Sequence, residues 1–78
     1  MDRRKGEKIH YTNLKREHRY IMAIGKQEAL VRFEAITPYG IKVLIEDGGI
    51  KSLKLNTSIG KGSEFYAPED ALFYEPRV

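Results

Sequence analysis

The fold is decided by residues 28–55, which read EALVRFEAITPYGIKVLIEDGGIKSLKL. In three short runs of this stretch apolar residues alternate with polar ones, a period that is typical of half-buried β-strands. The runs are separated by TPYG at 37–40 and EDGG at 46–49, whose proline and glycines favour tight turns. The stretch therefore predicts a three-stranded meander.

The middle run shows the alternation most clearly. Ile41, Val43 and Ile45 fall on one face of the predicted strand, and we expect them to be the most buried set on that face. The run at 28–36 is ambiguous, because Glu and Ala at its start favour a helix while its later residues fit alternation. A strand is preferred there, since the run is short and leads directly into a proline turn.

Residues 1–13 predict a flexible basic arm, followed by a single small β-barrel domain over residues 14–78. Thr12 or Asn13 can cap a helix of two turns over LKREH at 14–18. An extended arm is the alternative. Both interpretations place a basic segment in front of the first strand.

The remaining segments complete a mainly β fold. Alternation at 19–24 predicts a first strand, and the Gly-, Ser- and Asn-rich residues 56–63 predict a loop. Residues 64–67 and 72–74 predict two further strands joined by a turn, the last one ended by Pro76. We therefore expect a small, strongly bent barrel of five strands with a short basic N-terminal helix or arm.

Composition limits the class of protein. With 78 residues and 41% apolar content, the chain makes one domain with a small core. Cysteine is absent, which excludes a disulfide framework and a cysteine-ligated zinc site. The N-terminal MDRRKGEK lacks the apolar core of a signal peptide and no apolar run is long enough to span a bilayer, so we expect a cytoplasmic protein without membrane association.

The net charge of +3 is unevenly distributed along the chain. Residues 1–19 carry a net +4, residues 20–63 carry +2 and residues 64–78 carry −3. A basic front end and an acidic tail predict a surface that faces a polyanion at one end of the molecule. The alternative is that the termini are charged only because they are solvated.

No motif predicts an enzyme, a metal site or a cofactor. The segment IGKGS at 59–63 lacks the glycine spacing of a phosphate-binding loop, and a flexible loop is the better interpretation. His10 and His18 lie too far apart along the chain for a typical metal site. Glu69 and Asp70 are neighbours whose side chains diverge in a helical turn, so a capping role is preferred to an acid pair.

Binding of nucleic acid has a firmer physical basis, because Arg and Lys neutralise phosphates and tyrosines can stack on unpaired bases. The three phenylalanines are expected to fill the core, whereas Tyr39 at the tip of a polar turn has little reason to be buried in its own hairpin. The candidate nucleic-acid-binding residues are Lys8, Tyr11, Lys15, Arg16, Arg19, Tyr39 and Lys42.

Two segments resemble the Sm-like family of the bacterial RNA chaperone type. LKREHRYIMAI at 14–24 is similar to that family's basic helix end running into its first strand, and VRFEAITPYGIKVLIEDGG at 31–49 is similar to its strand–turn–strand. Tyr39 takes the position of the aromatic residue that follows the family's turn. The resemblance implies a small barrel that binds RNA, with the basic residues Lys15, Arg16 and Arg19 as contacts.

The sequence thus predicts a non-catalytic nucleic-acid-binding protein, with RNA slightly preferred over DNA. The alternative is a small protein–protein adaptor or inhibitor, such as a phage-type regulator that docks on a host protein through exposed strand edges and the acidic tail. A small core without disulfide or metal also favours a homo-oligomer, with a ring preferred over a dimer.

Overall fold

A computed structural model describes residues 4–48, 50–52 and 57–77. The chain is mainly β, as predicted, and a short 3₁₀ turn at Tyr11–Asn13 follows the first strand. In chain order the strands are β1 (Arg4–Ile9), β2 (Arg19–Ile24), β3 (Gln27–Thr37), β4 (Gly40–Gly48), β5 (Ile50–Ser52), β6 (Thr57–Ile59), β7 (Glu64–Ala67) and β8 (Leu72–Arg77).

Six of these strands form one antiparallel sheet in the order β1-β8-β2-β3-β4-β7. Strands β5 and β6 pair only with each other, as a separate two-stranded ladder. The prediction was a small, strongly bent barrel of five strands; the described strands form a six-stranded sheet, and closure into a barrel is not shown. Among the described strands, β1 and β7 stand at the two ends of the order and do not pair with each other.

The hydrophobic core lies on one face of this sheet. Tyr20 stands opposite Val31, and Val31 opposite Ile45, so alternate residues of the three central strands point to the same side. Ile41, Val43 and Ile45 are at most 1% exposed, which confirms the predicted face of β4. The core consists of Leu14, Tyr20, Met22, Ala29, Val31, Phe33, Ile41, Val43, Ile45, Ala67, Ala71 and Phe73.

The opposite face is covered near its centre. Ile21 is 1% exposed and stands between Leu30 on β3 and Tyr74 on β8. The Lys5 ammonium forms an ion pair with Glu28 and lies 5.2 Å from the centre of the Tyr74 ring. Because Lys5 belongs to β1 and Glu28 to β3, the ion pair spans the two strands between them.

The ambiguous run before the proline turn is a strand. β3 covers Gln27–Thr37 in full, with alternating burial, so the preference for a strand over a helix is confirmed. The predicted TPYG turn is also confirmed, since Thr37 stands opposite Gly40 and two residues connect them. Residues 64–67 form the predicted strand β7.

The predicted meander is wrong at its third strand. The chain leaves β4 at Gly48, whose φ is +85°, and β5 then pairs with β6 instead of with β4. The free edge of β4 is taken by β7, and two backbone hydrogen bonds extend this pairing: Ile45 N–H donates to Ser63 O at 2.9 Å and Gly62 N–H donates to Ile45 O at 2.7 Å. Part of the predicted third run, residues 53–55, lies outside the described residues.

The predicted loop and the predicted end of the last strand also need correction. Thr57–Ile59, within the predicted loop, forms β6. β8 does not stop before Pro76 but continues to Arg77, with Pro76 opposite Lys5 of β1. The proline is tolerated because β2 pairs only with residues 72–74 of β8 and ends before Pro76.

The predicted N-terminal helix over residues 14–18 is not supported. Leu14 has extended backbone angles and is buried in the core, and the Lys15 N–H donates to the Tyr20 hydroxyl at 2.9 Å. The Glu17 N–H donates to Phe33 O at 2.8 Å. Glu17 also has a φ of +67°, which is outside the right-handed helical region.

The prediction of a flexible arm does not hold for Arg4–Ile9, which forms β1 and pairs with β8. A register shift between Lys5 and Lys8 interrupts the pairing, so the strand lacks the strict alternation that sequence patterns detect. Residues 1–3 lie outside the described residues.

Candidate nucleic-acid interface

A cleft of about 350 Å³ opens where the segment after the 3₁₀ turn meets the end of β8. Lys15, His18, Arg19 and Glu75 are among the residues that line it. We call this the basic cleft. Its lining residues are Ile9, Asn13, Lys15, His18, Arg19, Tyr20, Glu75 and Pro76.

The wall of the basic cleft is held by the tight turn at residues 15–18. The His18 N–H donates to Lys15 O at 3.2 Å, and Glu17 adopts a φ of +67°, a left-handed conformation that is uncommon for a residue with a side chain. Anchored by the buried Leu14 below it, the turn leaves the side chains of Lys15 and His18 exposed. Among the described residues, no ion pair involves Lys15.

The two arginines of this segment have protein partners. Arg19 Nε donates to both carboxylate oxygens of Glu46, at 2.8 and 3.2 Å. Arg16 Nε donates to the backbone oxygen of Glu34 at 3.0 Å. These contacts orient the guanidinium groups, and Glu46 offsets part of the Arg19 charge. The Arg19 side chain nevertheless remains 65% exposed.

Arg32 adds a cation that the sequence did not single out. It stands directly opposite Arg19 in the β2–β3 pairing, and within the described part of the chain it forms no ion pair. Like charges in directly opposed positions of a sheet are unfavourable unless an anion lies nearby. No local sequence pattern predicts this pair of arginines, because only the register of β2 and β3 brings them together.

A second depression, of about 250 Å³, lies at the tip of the β3–β4 hairpin. Tyr39 is 84% exposed there and Ile36 54%, while the half-buried Tyr11 also packs against the core. We call this depression the aromatic groove. Its lining residues are Tyr11, Ile36, Thr37, Pro38, Tyr39, Gly40, Ile41, Pro68 and Glu69.

The hairpin turn presents Tyr39 in a fixed way. The Thr37 hydroxyl accepts a hydrogen bond from the Tyr39 N–H at 3.1 Å and donates one to Gly40 O at 2.9 Å. The Tyr39 ring packs edge to face with Tyr66 of β7, with 6.2 Å between the ring centres. Tyr66 was not predicted as a site residue, since its position depends on the pairing of β4 with β7.

Lys42 and Lys8 line neither depression. Lys42 forms an ion pair with Glu64 at 2.8 Å, and the hydrogen bond and charge of Glu64 raise the pKa of Lys42 above its ordinary value. Because the pKa of Lys42 is higher in the folded protein than in the unfolded chain, the ion pair contributes a small stabilisation of the fold. This stabilisation is complete at pH values below the ordinary lysine pKa, and it is lost as the pH rises through the pKa of the folded protein. Lys42 is therefore charged and partnered at neutral pH. Lys8 is exposed on β1, opposite Tyr74.

The structure therefore brings together only some of the predicted site residues. Lys15 and Arg19 meet in the basic cleft, and Tyr11 and Tyr39 meet in the aromatic groove. Lining residues that were not among the predicted binding residues include Asn13 and Glu75 in the cleft and Ile36, Pro68 and Glu69 in the groove. Lys8, Arg16 and Lys42 line neither depression.

The histidines have other roles than a shared metal site. His10 Nδ1 contacts the Thr12 hydroxyl at 2.8 Å and accepts from the Thr12 N–H at 3.3 Å, which caps the 3₁₀ turn. In the part of the chain that the structure describes, no group of three or more His, Cys, Asp or Glu side chains is placed to hold a metal ion.

No helix among the described residues is long and apolar enough to cross a membrane.

Comparisons with known proteins add no further constraint. No family model, curated protein or solved structure matches the chain. The resemblance of residues 14–24 and 31–49 to the Sm-like family therefore stays a prediction.

Proposed function

We propose that this protein binds nucleic acid without catalysing a reaction. The observation that supports the proposal is the basic cleft, whose lining includes the exposed residues Lys15 and Arg19. Lysine and arginine cations attract phosphates and release counterions from the nucleic acid, which is the main source of non-specific affinity. The net charge of +4 on residues 1–19 also favours binding of a polyanion.

RNA is preferred over DNA as the ligand. Asn13 and Glu75 line the basic cleft together with the cations and supply hydrogen-bonding groups that carry no positive charge. A ribose 2′-hydroxyl can donate to the Glu75 carboxylate or exchange hydrogen bonds with the Asn13 amide, and it is the group that distinguishes RNA from DNA at a given site. A carboxylate is otherwise unfavourable next to a phosphate backbone.

A salt titration with a matched control tests this proposal. The affinity of a labelled oligouridylate is measured by fluorescence anisotropy between about 50 and about 200 mM salt, for the parent, Lys15→Ala and Lys61→Ala. Lys61 is exposed but lines neither the cleft nor the groove. Lys15→Ala is expected to weaken binding and to reduce the slope of log affinity against log salt by about 0.7, the value for one lost contact with a single strand.

Two outcomes would count against the proposal. Equal weakening by Lys15→Ala and Lys61→Ala would mean that net charge, and not the basic cleft, attracts the ligand. A parent protein that fails to bind any oligonucleotide at the lower salt concentration would remove nucleic-acid binding altogether.

A second candidate function is docking on a protein, as an adaptor or inhibitor. Exposed apolar side chains favour it, because Ile36, Tyr39 and Tyr66 are 54%, 84% and 46% exposed around the same hairpin. Neighbouring exposed apolar groups of this kind commonly mark an interaction surface. A complex of this type would persist between about 50 and about 200 mM salt, over which electrostatic binding to nucleic acid falls steeply.

A further inference from the structure

We propose that the aromatic groove binds a proline-containing, positively charged segment of a partner protein in the polyproline II conformation. The proposal goes beyond nucleic-acid binding, because it names a second surface and the chemical class of its partner. It does not depend on the basic cleft, so the two functions can fail separately. Three features of the groove support it: its apolar side chains, its prepared shape and its charge.

The groove presents apolar side chains from three separate segments of the chain. Tyr11 comes from the 3₁₀ turn, Tyr39 from the β3–β4 hairpin and Pro68 from the connection between β7 and β8. Tyr39 is 84% exposed and Ile36 is 54% exposed. Grooves lined by aromatic side chains are recurring docking sites for proline-rich segments, whose polyproline II helix is already formed in the free peptide. The apolar lining therefore suits a partner segment that carries prolines.

The two tyrosines of the groove are held in place before a partner arrives. The Tyr39 N–H donates to the Thr37 hydroxyl, and the Tyr39 ring packs edge to face with Tyr66. Tyr11 is half-buried and packs against the core, and its ring centre lies 4.6 Å from that of His10. Side chains that are already ordered lose little conformational entropy on binding, which favours docking of a stiff peptide.

The charge of the groove favours a basic partner. Among the described residues that line it, Glu69 is the only carboxylate and there is no lysine or arginine. Asp70, which follows Glu69, is also exposed, and residues 64–78 carry a net −3. An arginine or lysine beside the prolines of the partner can pair with these carboxylates, whereas a phosphate backbone would be repelled.

A second copy of this chain suits the groove less well than a different protein does. In a symmetric dimer the same patch faces itself, so Glu69 and Asp70 of one copy would approach those of the other. Like charges that face each other across an interface weaken binding. The occupant is therefore assigned to a different protein.

Binding of a defined peptide tests the proposal. The probe is a fluorescein-labelled peptide in which three Pro-Pro-Ala repeats are followed by two arginines, and its affinity is measured by fluorescence anisotropy. The parent protein is expected to bind this peptide, and to bind it much more weakly when alanine replaces every proline, because the polyproline II conformation is then lost. Absence of binding at protein concentrations up to about 1 mM, or equal affinity for the two peptides, would overturn the proposal.

Substitutions at residue 39 locate the contact. Tyr39→Ala is expected to weaken peptide binding about 10- to 30-fold, the effect of removing an aromatic side chain that anchors an interface. Tyr39→Phe keeps the ring and should bind like the parent. Lys61→Ala, at an exposed position outside the groove, is the control and should also bind like the parent. If circular dichroism shows that Tyr39→Ala is folded and its affinity equals that of the parent, the groove is not the docking site.

The role of Glu69 is tested by changing both partners of the expected ion pair. Glu69→Gln should weaken binding of the arginine peptide about 2- to 5-fold, as is usual for an exposed ion pair. The variant should leave unchanged the affinity for a peptide in which alanines replace the two arginines. An equal loss for both peptides would show that Glu69 does not pair with the arginines, and the choice of a basic partner would then be wrong.

The outcomes separate this proposal from nucleic-acid binding. Binding of the peptide without binding of oligouridylate would support the proposal and remove the proposed function. Binding of oligouridylate without binding of the peptide would do the reverse. Displacement of the arginine-free peptide by oligouridylate would mean that the groove takes nucleic acid, and the assignment of a peptide to it would be overturned.

Discussion

At the scale of single residues, Gly40 shows how the fold constrains the aromatic groove. Its φ of +135° is unfavourable for any residue with a side chain, and a Cβ atom there would lie 2.7 Å from the backbone oxygen of Ala67. The tip of the β3–β4 hairpin therefore packs directly against the end of β7. Tyr39, the neighbour of Gly40, owes its fixed position to this close approach.

Gly40→Ala is therefore expected to destabilise the protein by about 2–4 kcal/mol, through backbone strain plus a clash that neither strand can relieve cheaply. Gly25→Ala is the matched control, because Gly25 also has a positive φ, +59°, but no atom lies within 4 Å of the added Cβ. The control should lose only about 1–2 kcal/mol. Urea denaturation measures both values, and equal losses would contradict the packing of the hairpin against β7.

At the scale of the strands, β4 is the centre of the core. Val43 is fully buried and stands between Phe33 of β3 and Phe65 of β7. Val43→Ala is expected to lower the free energy of unfolding by about 1–3 kcal/mol, from lost burial and a residual cavity. Leu44→Ala, on the half-buried opposite face, should cost less. Chemical denaturation that shows Val43→Ala as stable as the parent would mean that the assigned face is wrong.

Local patterns were sufficient to predict the central strands β2, β3 and β4. Alternation assigned Ile41, Val43 and Ile45 to the core, and Pro38 and Gly40 located the turn between β3 and β4. These features depend on neighbours in sequence, which is why they can be read from it.

Other parts of the fold depend on contacts between distant residues. β1 pairs with β8 from the other end of the chain, and β7 takes the edge of β4 that the predicted third strand would have used. The expected helix after Asn13 does not form, because Leu14 is extended and buried in the core and Glu17 adopts a positive φ. No local pattern carries this information, so tertiary contacts override the local preferences for turn and helix.

For the candidate site too, some features could be predicted from the sequence and others could not. The charge of Lys15 and Arg19 and the turn position of Tyr39 could be predicted from the sequence. The positions of Arg32 opposite Arg19 and of Tyr66 next to the Tyr39 ring could not, because they depend on the register of β2 with β3 and on the pairing of β4 with β7.

At the scale of the whole molecule, the two terminal strands of the sheet differ in charge. β1 carries exposed Lys5, Lys8 and Glu7, and β7 carries exposed Glu64; Lys5 is paired with Glu28 and Glu64 with Lys42, so the difference in charge is modest. A strand at the end of a sheet leaves backbone groups available for another chain, and a head-to-tail contact between β1 of one copy and β7 of the next would extend the sheet. The opposite charges favour that orientation.

Self-assembly into a ring, or into a dimer, is therefore expected. Light scattering at tens of micromolar protein should give a mass above that of the monomer, and the mass should fall as salt screens the charges between β1 and β7. Replacing Lys8 by Glu should reduce assembly in the same way without disturbing the core. A monomer mass at both low and moderate salt would contradict this prediction.

The central claim, that the basic segment at residues 15–19 binds nucleic acid, is tested most directly by replacing Lys15, Arg16 and Arg19 together with alanine. Circular dichroism and urea denaturation first establish that the variant is folded, since Arg19 also bonds to Glu46. The affinity for oligouridylate is then measured between about 50 and about 200 mM salt. The variant is expected to bind more weakly than the parent, with a salt slope shallower by about 2 for three lost phosphate contacts. A folded variant with the affinity and the salt slope of the parent would contradict the claim.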